Sequence, residues 1–343
     1  VLDRGIVEWM SRTEAEWRAK AKGIRFDGQV AVVTGAGSGL GRVYALELAK
    51  RGAHVLVNDL GGAPDGTGAS TRPADQVVQE ITAAGGSAIA NYDSVATLEG
   101  GQHIVQSALD HFGRLDILIN NAGILRDKSF AKMTPDMWND VLAVHLQGAF
   151  NVTRPAFQAM RQQGYGRIVF TTSAAGLFGN FGQTNYGAAK MGLVGLMNTL
   201  TLEGQKYDIK VNTVAPLAAT RLTRDVLPPE FLDTLQPEFA APLVLYLCSE
   251  RCTDSGLIVN AGMGHYSRAA VVNAPGIMLG EGDQIPTLGD IHQNWPKIDS
   301  LRGAKEYHDA NTALMDMLTG PREAPEDLEK GEEEEKVAKG EAM

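Results

Sequence analysis

Cysteine is scarce in this chain, and its scarcity excludes a good deal. Two residues, Cys248 and Cys252, are all that 343 positions contain. That is too few for the disulfide framework of a small secreted fold and, without further ligands close by, too few for a thiolate metal site. Positive charge is also short: 31 Lys and Arg stand against 41 Asp and Glu, a net −10. Nucleic-acid phosphate wants clustered cations, so it is not an expected partner. No apolar run reaches the ~18–20 residues of a membrane span. Residues 1–25 carry charge together with Trp9 and Trp17 and lack the apolar centre of a secretory signal. The terminal Glu341-Ala342-Met343 is not a peroxisomal address. The simple expectation is a cytoplasmic protein with free thiols. The remaining composition, 44% hydrophobic and 21% charged, is that of an ordinary globular chain, long enough for one large domain or two small ones.

What is present alternates. Gln29–Thr34 is an unbroken apolar and β-branched run, suited to a strand covered on both faces. Residues 40–51 follow with helical spacing, and Gly52 supplies a stop. Strands are then expected at 53–59, 87–92, 115–120, 166–172, 209–215 and 257–259. Helices are expected at 73–84, 98–112, 135–163, 185–205 and 237–250, with a Gly-rich loop at 61–71. Alternation of this kind builds βαβ units. The expected fold is α/β, a Rossmann-type doubly wound parallel sheet of seven strands, with its cofactor crevice where strands one and four diverge. The domain runs over residues 25–265. Residues 1–24 precede it as an extension, and 266–320 form a second extension packed on the core. Residues 321–343 hold nine acids and four bases, half the net charge. Such a run reads either as an interaction tail or as a solvated end.

Thr34-Gly35-Ala36-Gly37-Ser38-Gly39-Leu40-Gly41 joins the first strand to its helix. Glycines there let the backbone and a helix N-terminus approach a pyrophosphate. Gly35, Ser38, Gly39, Leu40 and Gly41 are the candidate phosphate-binding residues. The spacing is Gly-x3-Gly-x-Gly, so the strand–turn–helix context carries the assignment. Asp59 closes the second strand, where a carboxylate accepts from both adenosine ribose hydroxyls and repels a 2′-phosphate, favouring NAD over NADP. In Asn91-Tyr92-Asp93-Ser94-Val95, Asp93 either accepts from an adenine amino group or caps a turn; Val95 borders the same place.

Tyr186 and Lys190 stand at i and i+4 on one helix face, thirteen residues beyond Ser173. A phenol titrates near pH ~10; a neighbouring ammonium and a positive nicotinamide would lower that value. Tyr186 is then the general base for an alcohol proton and the general acid in reverse. Lys190 also holds the nicotinamide ribose, and Ser173 hydrogen-bonds the substrate oxygen.

These stretches resemble the short-chain dehydrogenase/reductase superfamily. The match includes Asn120-Asn121-Ala122-Gly123 after strand four and Asn212-Thr213-Val214-Ala215-Pro216 after strand six, and it covers about residues 28–265. The resemblance implies that Asn121 and Gly123 border the cofactor and that Thr220 contacts the nicotinamide carboxamide. Arg25-Phe26-Asp27-Gly28, Val57-Asn58-Asp59-Leu60-Gly61-Gly62, Gly123-Ile124-Leu125-Arg126-Asp127, the run 179–190, Pro242–Cys248 and Asn294-Trp295 are similar to the dehydrogenase unit of multifunctional enzyme type 2. That likeness implies NAD-dependent oxidation of (3R)-3-hydroxyacyl-CoA thioesters, some relatives acting on 17β-hydroxysteroids. With no further domain following, a stand-alone dehydrogenase is expected. Met133, Leu177, Phe178, Phe181 and Leu222 are candidates for the acyl wall. Arg126, Lys128, Arg221 and Arg224 are candidates for the CoA phosphates. Where the family usually has a catalytic Asn, this chain has His145, which either extends a water relay from Lys190 or hydrogen-bonds the helix backbone. Leu217 replaces the usual Gly after Pro216. The two long helices are the surfaces through which the superfamily pairs, so a homodimer or homotetramer is expected. A hydroxysteroid dehydrogenase and a non-catalytic NAD-binding redox sensor are the competing readings, the intact trio speaking against the second.

Overall fold

The computed structural model describes residues 23–218, 235–280 and 283–319, and the chain divides into two compact units after Ala269. The first is built on alternation. β1 (Val30–Thr34) is buried along its whole length. Its residues divide between two apolar layers: Ala31 and Val33 pack with Tyr44, Leu48 and Val244, and Val30 and Val32 with Ile104, Met160 and Leu193. A period of two places successive side chains on opposite faces, so an unbroken apolar run is what a doubly covered strand needs.

The strands are β1, β2 (His54–Asn58), β3 (Ser87–Asn91), β4 (Ile117–Asn120), β5 (Gly166–Thr171), β6 (Ile209–Pro216), β7 (Ile258–Gly262) and β8 (His265–Ala269). They lie in the order β3-β2-β1-β4-β5-β6-β7-β8. The first seven pair in parallel, and β8 pairs antiparallel to β7. The expected seven parallel strands are therefore eight, with one antiparallel edge. His265–Ala269 escaped the sequence reading because an edge strand with exposed His265, Tyr266 and Arg268 has no apolar run to betray it. The order reverses between β1 and β4, which opens the crevice at their carboxyl ends.

The α-helices among the described residues of this unit are α1 (Gly39–Lys50), α2 (Arg72–Ala83), α3 (Leu98–Phe112), α4 (Pro135–Leu142), α5 (Gly148–Gln163), α6 (Ala174–Phe178), α7 (Thr184–Gly204) and α8 (Ala241–Cys248). The single helix expected over 135–163 is α4 and α5 joined by a π turn, Ala143–Gln147. The expected helix at 237–250 is a 3₁₀ turn, Pro237–Phe239, followed by α8. Cys248 and Cys252 are both buried free thiols, and burial raises both pKa values. No helix among the described residues is long and apolar enough to cross a membrane.

The second unit, described over 270–319, contains β9 (Val272–Asn273) paired antiparallel with β10 (Lys305–Glu306), α9 (Leu288–Ile298) and α10 (Ala310–Thr319). A reciprocal box between Thr287 and Asp290 starts α9.

Candidate active site

β1 ends at Thr34 and α1 begins at Gly39, so residues 35–38 turn the chain over the carboxyl edge of the sheet. Gly39 holds φ +53°. A Cβ on Gly41 would stand 2.3 Å from Gly35 O and 2.6 Å from Asn121 Nδ2. The helix thus lies against its own turn at a distance no side chain permits. Ser38 is the N-cap of α1, yet its hydroxyl makes no cap bond, and no acid occupies the first turn. The orphan N–H groups and that hydroxyl are left for an anion.

Gly35, Ser38, Gly39 and Leu40 line a cleft of about 450 Å³ whose other walls include Ser173, Tyr186, Lys190, His145 and Phe178. Two stretches separated by more than a hundred residues in the chain face one space. A second hollow of about 90 Å³ is bordered by Asp59, Leu60, Asp93, Val95, Ile124 and Val144. Gly35 and Gly123 border both spaces. Asp59 is buried and accepts from Gly37 N at 2.8 Å and Gly61 N at 2.7 Å. Each oxygen keeps a lone pair for a further donor. Asp93 accepts from Asn91 Nδ2 at 2.8 Å, while its own N–H donates to Asn91 Oδ1 at 3.0 Å. The turn after β3 is thus built jointly by the Asn91 and Asp93 side chains. No Lys or Arg borders this hollow among the described residues. N–H donors at a helix start, with carboxylates beyond them, suit a dinucleotide.

Asn121 acts as a pin: its Nδ2 donates to Thr34 O and Gly35 O, both at 3.1 Å. Gly123 is needed for another reason. A Cβ there would meet His145 Cε1 at 2.4 Å. Thr220, Arg221, Leu222 and Arg224 lie outside the described residues, as do Trp9, Trp17 and the acidic tail. Arg126 is paired with Asp140 on the surface. Of the other acyl-wall candidates, Phe178 lines the cleft and Phe181 is exposed; Met133 and Leu177 are not among its walls.

Ser173 follows β5 by two residues and caps α6, its Oγ accepting from Ala175 N at 3.2 Å. The Lys190 ammonium is buried and donates to Thr171 O at 2.6 Å, 5.4 Å from the centre of the Tyr186 ring. Burial pushes Lys190 down to about 7. Tyr186 is raised, first by burial, with the Asp127 charge adding and the Ser173 hydroxyl opposing. The expected depression of the phenol is therefore not realised in the protein alone. A cation that burial has itself brought near neutrality exerts only part of its pull.

His145 sits in the π turn, buried. Its Nε2 lies 2.8 Å from Ile124 O and 3.1 Å from Ile124 N. The partner is thus the segment after β4, not the helix backbone. Burial first, then the Lys190 charge, hold its pKa well below 6.5, so the ring is neutral. Its edge-on contact with Tyr186, 5.1 Å between ring centres, fixes both rings. Nδ1 has no hydrogen-bond partner. A small hollow of about 10 Å³ is bordered by His145, Lys190, Thr34 and Asn120, room for about one water.

Residues 29–228 match the short chain dehydrogenase family. The chain belongs to that family, and its activity is that of an oxidoreductase. A short-chain type dehydrogenase/reductase of Mycobacterium tuberculosis is 55% identical over 277 residues, 81% of this chain and 96% of that one. The full-length peroxisomal multifunctional enzyme type 2 of Drosophila melanogaster superposes with a TM-score of 0.73 at 39% identity, over 86% of this chain. This chain spans 49% of that enzyme's length. A 7α-hydroxysteroid dehydrogenase in complex with NADH and a 7-oxo bile acid superposes at 0.64 with 28% identity, over 70% of this chain and 95% of that one.

Proposed function

We propose that this protein is an NAD-dependent dehydrogenase that interconverts a secondary alcohol and a ketone, with (3R)-3-hydroxyacyl-CoA thioesters as its substrate class. The observation that carries the reading is the single cleft bordered by the Gly35–Leu40 turn on one side and by Ser173, Tyr186 and Lys190 on the other. Bound NAD would accept or return the hydride. Everything else falls to the chain. The turn and the start of α1 hold the pyrophosphate. Asp59 accepts from the ribose hydroxyls, and a 2′-phosphate would meet two carboxylates and, among the described residues, no Lys or Arg there. Ser173 donates to the substrate oxygen. Tyr186 takes the alcohol proton, or gives it back in reduction. A water in the hollow bordered by Lys190 and the neutral His145 would continue a proton relay from Lys190. The acyl reading rests on the segments shared with the multifunctional branch and on Phe178, 75% exposed at the cleft wall, where an alkyl chain finds apolar cover. The structural likeness to a hydroxysteroid dehydrogenase favours a hydroxysteroid as the second reading. A cytoplasmic setting and a homodimer or homotetramer are proposed with it.

The test is NADH formation across a panel of 3-hydroxyacyl-CoAs and hydroxysteroids, run beside Tyr186→Phe. The expected result is turnover of the (3R)-thioesters, and a loss of 10²–10⁴-fold in kcat for the variant with NAD affinity unchanged. A wild-type rate in Tyr186→Phe would overturn the mechanism. Turnover of hydroxysteroids alone would overturn the substrate class.

A further inference from the structure

Asn185 precedes Tyr186 and is fully buried, and all three of its side-chain hydrogen bonds go to backbone. Its Nδ2 donates to Arg126 O at 3.1 Å and to Met137 O at 2.9 Å, and its Oδ1 accepts from Tyr186 N at 2.8 Å. One side chain therefore joins three pieces of chain: the start of α7, the strap that follows β4, and α4. The strap is tied at each residue from 124 to 128. Ile124 meets His145, Leu125 N donates to Pro64 O at 3.0 Å, Asp127 accepts from Gln183 Nε2 at 2.7 Å, and Lys128 N donates to Gly182 O at 2.8 Å. Pro64 belongs to the loop bordering the Asp59 hollow. The strap thus starts at the wall of that hollow, and Asn185 ties its middle residue, Arg126, to the residue beside the phenol.

We infer that Asn185 is a positioning residue for Tyr186, holding the phenol in register with the cofactor side of the cleft through the strap. The inference rests on the acid–base role proposed for Tyr186. A buried amide that satisfies two carbonyls and one N–H fixes the adjacent residue in all directions. A shift of about 1 Å in a reacting group costs on the order of 10²-fold in rate. Asn185 does not line the cleft, so truncating it removes no direct contact to cofactor or substrate.

The experiment uses the full chain and Asn185→Ala, with Asn185→Ser as a milder companion that retains one donor, and Tyr186→Phe as control. NAD binding is read by calorimetry, folding by thermal melt, and kcat separately from KM. The expected outcome is a kcat lowered ~30- to 100-fold in the Ala variant and less in the Ser variant, with the Kd for NAD and the substrate KM within twofold of wild type. Wild-type kcat in a folded variant, or parallel losses in NAD affinity and kcat, would overturn the inference while an inactive Tyr186→Phe left the function standing. Failure of both variants to fold would overturn it too, by assigning Asn185 to fold stability alone. An active Tyr186→Phe would instead sink the reading beneath it.

Discussion

Lys190 shows how a functional residue burdens the fold that holds it. Its displacement from 10.5 to about 7 corresponds to roughly 5 kcal/mol, whereas the hydrogen bond it gives Thr171 O offsets about 1–3 kcal/mol. Burial therefore wins. Between pH 7 and 10.5 the unfolded chain binds a proton that the folded protein binds less well, so the penalty is fully present below about 7 and disappears as pH rises toward 10.5. Lys190→Met should consequently melt above wild type at pH 7, with the gap closing by pH 10, and should be inactive. Thermal melts across that range check it; a wild-type melting point at pH 7 would contradict the burial argument. At this scale Tyr186 and Lys190 were legible because i and i+4 share a helix face. Asn185 was not legible, because its partners are carbonyls at 126 and 137 that no local pattern foretells. The raised pKa of Tyr186 was equally hidden, since burial is a property of what packs around it.

Among the elements, the junction of β1 and α1 is set by close approach. Gly41→Ala places a methyl group 2.3 Å from a backbone oxygen, and backbone cannot swing aside as a side chain tip can. A stability loss of about 1–3 kcal/mol and a fall of tenfold or more in NAD affinity are expected, by denaturant titration and calorimetry. Unchanged affinity would mean that the turn does not carry the phosphates. Glycines placed between an apolar strand and a helix announced this turn. The π turn at Ala143–Gln147 went unannounced: apolar periodicity reads through residues 135–163 as one helix, and a single wider turn barely disturbs it. Yet that turn presents His145 toward Ile124, and such bulges gather at functional sites.

For the whole molecule, α5 and α7 expose Phe150, Met191 and Leu202 at 43%, 38% and 47%. Three exposed apolar side chains on adjacent long helices suit a partner helix pair. Phe150→Asp combined with Leu202→Asp should give a monomer by analytical ultracentrifugation, against a wild type expected to sediment as a dimer or larger. A monomeric wild type would refute the pairing.

The alternation of strands and helices, the strand–turn–helix of the glycine stretch and the Tyr186–Lys190 offset were determined by sequence alone, because each depends on a short period or a fixed spacing that local sterics enforce. The antiparallel edge, the strap 124–128, the bond from His145 to Ile124 and the titration of the cleft were decided only by tertiary structure. Each of these depends on which distant backbone groups come within three ångströms and on how much water packing removes, and neither quantity is written at any one place along the chain.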